Sequence, residues 1–134
     1  MTPRAPHPDS VDPRILDALD AVPGGEVVDD YTAYWPALEM TLTVPAPGDG
    51  DAVGSCANGS ICAYSGSGLT GSKLSWSSCG TFSTAAIPGG VVRSIADARS
   101  TGSLQARNGT TVVATASAQS WNNVVGTTDN VRCT

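Results

Sequence analysis

The segment Cys56-Ala57-Asn58-Gly59-Ser60-Ile61-Cys62-Ala63-Tyr64-Ser65-Gly66-Ser67-Gly68-Leu69-Thr70-Gly71 sets two of the four cysteines beside a short apolar strand. A glycine–serine loop follows, so residues 61–65 read as a strand that runs into a tight turn. Lys73 to Ser77 reads as another strand, with Leu74 and Trp76 on one face. Further on, Leu104 to Arg107 and Thr110 to Thr115 flank Asn108-Gly109 and form the strongest hairpin signal in the chain. Asn-Gly supplies the positive φ angles of a type I′ turn. Val91, Val92 and Ile95 surround Arg93-Ser94, Ile95 to Ala98 reads as a strand or a short helical turn, Trp121 precedes a polar turn, and Asn130 to Thr134 reads as a final strand.

Composition agrees with a β structure. Among 134 residues there are one Phe, three Trp, three Tyr and two Met, while Gly, Ser, Thr and Ala dominate. Such a chain builds a thin core and needs covalent help. The cysteines at 56, 62, 79 and 133 are even in number and unaccompanied by a Cys-x-x-Cys pair. His7 is the only histidine, so disulfides are expected in preference to zinc. That places the chain in an oxidising, extracellular setting, although residues 1–20 carry four Asp and do not read as a secretory leader. No stretch is long and apolar enough for a membrane-spanning helix.

The first 54 residues differ in character. Residues 1–51 hold ten Asp/Glu against two Arg, whereas residues 52–134 hold two Asp against five Lys/Arg. Neither part has the basic density of a nucleic-acid binder. Residues 1–11, rich in proline, are expected to be a disordered tail. Asp12-Pro13 starts a short helix, with Asp12 as N-cap and an apolar stripe of Ile15, Leu16, Leu19 and Val22. Pro23-Gly24-Gly25 stops it. Glu26 to Val44 reads as two strands, and in the second Met40, Leu42 and Val44 alternate with Thr41 and Thr43. Residues 45–54 read as a linker or turn. The chain thus divides into a helix-plus-hairpin extension, 12–44, and a cysteine-bearing domain, 55–134.

The opening segment resembles the streptomycete metalloproteinase inhibitor family, small secreted actinobacterial proteins. The shared pattern is Ser-Cys, five residues, Cys-x-Tyr-Ser-Gly and a glycine-bounded turn. It is met at Ser55, Cys56, Cys62, Tyr64, Ser65, Gly66, Gly68, Leu69 and Gly71. The likeness is good over roughly residues 55–76, diffuse to 134 and absent over 1–54. It implies an all-β fold, a βγ-crystallin-like Greek-key sandwich, here preceded by a short helix and a β-hairpin. It also implies the pairing Cys56–Cys62, which leaves Cys79 for Cys133. The family's inhibitory segment is a second disulfide-closed loop, and no cysteine lies between Cys79 and Cys133 to form one.

Crystallin-type calcium sites place two adjacent Asn/Asp, two further residues and then Ser/Thr-Ser. Here the first copy begins at Gly89-Gly90 and the second, at Asp129-Asn130, meets Cys133 where an oxygen is needed. Asp49-Gly50-Asp51 lacks further acids, so no metal or cofactor is expected. Catalysis is not expected either. His7 lies in the tail, and adjacent strand residues such as Asp29-Asp30 point to opposite faces. Asp97 and Asp129 read as surface acids. The resemblance implies a monomeric, non-catalytic, secreted protein-binding module, directed at an extracellular metalloprotease or another secreted protein. The competing class is a structural or cell-surface protein with no protease target. The expected contact residues are Leu69, Tyr64 and Trp76, or Tyr34 and Trp35 with Tyr31 in the acidic part. Core packing is the competing role of each aromatic, and Trp121 beside Asn122-Asn123 reads as either.

Overall fold

A computed structural model describes residues 11–45 and 56–134. The expectations for His7, for the tail before residue 11 and for Asp49-Gly50-Asp51 lie outside the described residues.

Helix α1 (Pro13–Ala21) begins where the sequence places it. The Asp12 carboxylate accepts from the Arg14 backbone N–H at 2.9 Å. It also pairs with the Arg14 guanidinium at 2.8 Å, whose hydrogen bonds hold this carboxyl below the usual range. The inward face differs from the expected stripe. Ile15 and Ala18 are buried, Leu19 packs partly against the core, and Leu16 is exposed. Nine residues make too short a helix to persist alone. It is held by its apolar face and by the Trp35 indole, whose Nε1–H donates to the Val22 carbonyl at 2.8 Å. Gly25 allows this close approach, since a Cβ there would collide with Trp35 and Leu19.

Three strands follow, not two: β1 (Glu26–Asp29), β2 (Thr32–Trp35) and β3 (Met40–Thr43). Pro36 opens a 3-10 turn that ends with Glu39 in the left-handed region, at φ 50°. The remaining chain supplies β4 (Ile61–Gly66), β5 (Thr70–Trp76), β6 (Thr81–Ser83), β7 (Ser94–Asp97), β8 (Ser103–Asn108), β9 (Thr111–Ser117), β10 (Ser120–Asn123) and β11 (Asn130–Cys133). Residues around Ile95 take the strand alternative, whereas Trp121 differs from expectation in lying within β10 rather than before a turn. In the β8–β9 hairpin the central pair is Gly109-Thr110, and Gly109 is left-handed at φ 62° while Asn108 is not. Positive φ at the first central residue alone is the pattern of a type II′ turn, not type I′.

The strands form two antiparallel sheets, β1-β2-β3-β5-β4-β7-β10 and β6-β11-β8-β9. Within β4–β7 the second and fourth strands flank the first, and the third crosses to the other sheet to lie beside β11. The unit β8–β11 repeats this arrangement, sending β10 across to β7. Each sheet therefore receives one strand from the other unit, which interlocks the two.

The acidic region is continuous with this sandwich. β3 pairs with β5 in the register Met40↔Trp76 to Thr43↔Lys73. It covers what would otherwise be an open strand edge, a common site of unwanted pairing. Register puts Ala33, Leu42, Leu74, Ala63 and Ile95 in one row across the sheet, facing inward. Trp35, Met40, Trp76 and Ile61 form the next inward row. Leu104, Ala106, Ala116 and Val131 meet them from the second sheet. Trp76 also stacks on Phe82, with ring centroids 5.3 Å apart.

Candidate functional site

The outward face of the large sheet carries the opening segment. Counting along the register, Trp121, Ala96, Cys62, Ser75, Thr41 and Tyr34 form one outward row. Asn123, Ser94, Tyr64, Lys73, Thr43 and Thr32 form the adjacent one. At the β10 end this face is apolar. Cys62, Tyr64 and Ala96 are buried there beneath Cys56 and Leu69.

The disulfides are Cys56–Cys62 and Cys79–Cys133, with Cα separations of 5.8 and 5.3 Å. The first closes the loop before β4 and sits on this outward face. The β4–β5 loop is pinned above it by its neighbours. Asn123 Oδ1 accepts from the Gly68 N–H at 2.8 Å, and Ser94 Oγ accepts from the Leu69 N–H at 3.0 Å. The Ser94 hydroxyl also donates to the Gly66 carbonyl at 2.6 Å. Leu69 is thereby kept at φ 62°, a conformation that non-glycine residues rarely adopt. Its side chain is set over the disulfide in advance, so binding there would lose little loop entropy.

Beside this loop lies a groove of about 300 Å³ lined by Cys56, Asn58, Leu69, Ala96, Gln119 and Trp121, among others. Trp121 is 48% exposed, an unusual state for so large an apolar side chain. Its neighbours come from three distant segments. The sequence Ser120-Trp121-Asn122-Asn123 shows no apolar alternation that would mark it as a strand with an outward aromatic.

Of the expected contact residues, burial removes three. Trp35 and Trp76 are 1% exposed and belong to the main core, and Tyr64 is fully covered by the outer cluster. None can meet a partner without unfolding its surroundings. Tyr34 is partly exposed on the outward face, but five strand spacings, roughly 24 Å, separate it from Trp121. Tyr31 packs partly against the main core. Leu69 is the one expected residue that lines the groove.

Burial pushes the Tyr64 hydroxyl up to about 12, above its ordinary 10.0. The folded protein therefore keeps a proton that the unfolded chain releases near pH 10. The corresponding stability is complete below that pH and is lost as the pH rises from about 10 to about 12. Urea unfolding on either side of this window is expected to show a decline of ~2 kcal/mol that Tyr64→Phe lacks. A parallel decline in the variant would refute this assignment.

Asp97, Asp129 and Asp29 each hold local structure. Asp97 is 1% exposed, so it is not a surface acid. It accepts the Arg99 backbone N–H at 3.0 Å and the Arg99 guanidinium at 3.0 and 2.8 Å. Arg99 in turn donates to the carbonyls of Ser103 and Thr134. Asp129 Oδ1 accepts from the Gly109 N–H at 3.0 Å, and this bond holds its carboxyl below the usual range. Asp29 Oδ1 accepts from the Tyr31 N–H at 2.9 Å within the β1–β2 turn. All four cysteines are bridged, and among the described residues no three His, Cys, Asp or Glu cluster as metal ligands would.

Comparison with protein-family models, with curated proteins and with solved structures finds no match to this chain.

Proposed function

We propose that this chain is a secreted, non-catalytic protein-binding module on a βγ-crystallin-like Greek-key scaffold. The observation that carries the binding reading is the pre-set Leu69 loop beside the exposed Trp121 groove. Large aromatic and aliphatic anchors in a rigid, partly desolvated setting are where binding energy concentrates. The scaffold reading draws support from the exchange of third strands between the two four-strand units. Secretion draws support from the two disulfides, which persist in oxidising compartments. With every cysteine bridged, no thiolate is left to act as a nucleophile.

In its family-derived form the partner is an extracellular metalloprotease, met by Leu69 and Trp121 instead of a second disulfide loop. The test is titration of the protein against a panel of bacterial metalloproteases, reading residual activity. Sub-micromolar inhibition is expected, and Trp121→Ala is expected to weaken it roughly 30-fold or more. Because the indole is half exposed, that change should move stability by less than about 1 kcal/mol. An absence of inhibition across the panel overturns the protease reading. It would favour the structural or cell-surface alternative, which draws on the lack of any cysteine between Cys79 and Cys133.

A further inference from the structure

Two loops meet at the end of the sandwich beyond β7 and β10. One joins β6 to β7, the other β10 to β11, so they are the equivalent connections of the two four-strand units. They are tied together where the Val124 N–H donates to the Arg93 carbonyl at 2.8 Å. Between them is a pocket of about 260 Å³ lined by Gly90, Val91, Arg93, Gly126, Thr127 and Thr128.

The chemistry of this lining is one-sided. Arg93 is exposed and makes no ion pair among the described residues. Gly90 and Gly126 are left-handed, at φ 69° and 110°, and the N–H groups of Gly126 and Thr127 make no hydrogen bond among the described residues. Thr128 is 4% exposed, yet its Oγ1 has no hydrogen-bond partner. A buried hydroxyl without a partner costs stability and asks for an occupant. No carboxylate lines the pocket.

We propose that this pocket is an oxyanion site that takes a phosphate or sulfate group. A guanidinium supplies charge and a planar set of donors, loop N–H groups of this kind form anion-binding concavities, and the threonine hydroxyls complete a tetrahedral ligand. Arg93 stands where the calcium pattern calls for its first hydroxyl, and a fixed positive charge there repels a divalent cation. The other hydroxyl position, Ser94, is spent on Gly66 and Leu69.

The test is backbone amide NMR on the full chain, titrated with sodium phosphate at constant ionic strength and pH against sodium chloride. Phosphate should give saturable shifts confined to residues 90–93 and 126–128. Arg93→Gln should weaken this by roughly tenfold with an unchanged melting temperature. Thr128→Val should also weaken it while leaving the melting temperature equal or higher, because Oγ1 has no internal partner to lose. Dimethyl phosphate, titrated in parallel, distinguishes sources. If it binds as well as inorganic phosphate the site accepts a phosphodiester within a polymer, and if it does not the site takes the free anion. Unsaturable shifts, shifts spread equally over Arg107 and Arg132, unchanged affinity in Arg93→Gln, or a response of the same amides to calcium chloride instead would overturn the proposal.

Discussion

A chain with Cys79 and Cys133 both replaced by serine is expected to lose about 4 kcal/mol of stability. The bridge closes a loop with a sequence separation of 54, whereas Cys56–Cys62 spans only 6. On the chain-entropy account the short bridge is worth about 2 kcal/mol. The long one also joins the start of β6 to the end of β11, and the Cys133 N–H donates to the Gly80 carbonyl at 3.0 Å beside it. β6 has three residues and pairs only with β11, so it depends on that staple more than any other strand. Urea unfolding followed by tryptophan fluorescence measures both double variants. Trp76, stacked on Phe82 of β6, reports on the strand directly. Equal losses from the two bridges would show that loop length does not set their contribution.

The second large effect is at Asp97. Asp97→Asn is expected to cost about 3–5 kcal/mol, because it leaves the Arg99 guanidinium at a largely enclosed site without its counter-charge. The loss is not confined to one pair. Arg99 is held by Asp97 in the geometry that lets it reach the Ser103 and Thr134 carbonyls, at 3.0 and 3.2 Å. Gly102 leaves room for this arrangement, since a Cβ there would collide with the Thr134 carbonyl and the guanidinium. One ion pair thus fastens the end of β7 to the start of β8 and to the residue after β11. Arg99→Met should cost a similar amount. The double variant Asp97→Asn/Arg99→Met should lose far less than the two costs added. Additive losses would mean that the residues act separately.

Much of the local structure is legible in the residues alone. Asp12-Pro13 marks the helix start because a carboxylate cap and a fixed φ are properties of those two side chains. Met40, Leu42 and Leu74 lie on inward faces because strand alternation has a period of two. The Cys56–Cys62 pairing followed from the resemblance of the opening segment, and the bridge is present. The candidate site was only partly legible. Leu69 stood out by its glycine and serine neighbours, while Tyr64, Trp35 and Trp76 were indistinguishable from contact residues until their burial was known. Trp121, beside Asn122-Asn123, read equally as core or contact, since its groove is assembled from residues around 56, 69, 96 and 119. Asp97 read as a surface acid because nothing in the sequence around it tells that β7 is flanked on both sides, by β4 and β10.

By itself, then, the sequence determined the β class, the helix boundaries and the approximate place of most strands. These depend on interactions over a few residues. Only the tertiary structure decided that residues 12–44 extend the large sheet, that β6 and β10 change sheets, and which face of β4 carries the groove. Those outcomes rest on pairings such as Leu42↔Leu74 and Trp121↔Ala96, in which neither partner carries information about the other. Alternation says that neighbouring side chains point to opposite sides; it takes a second sheet on one of them to make that side the core.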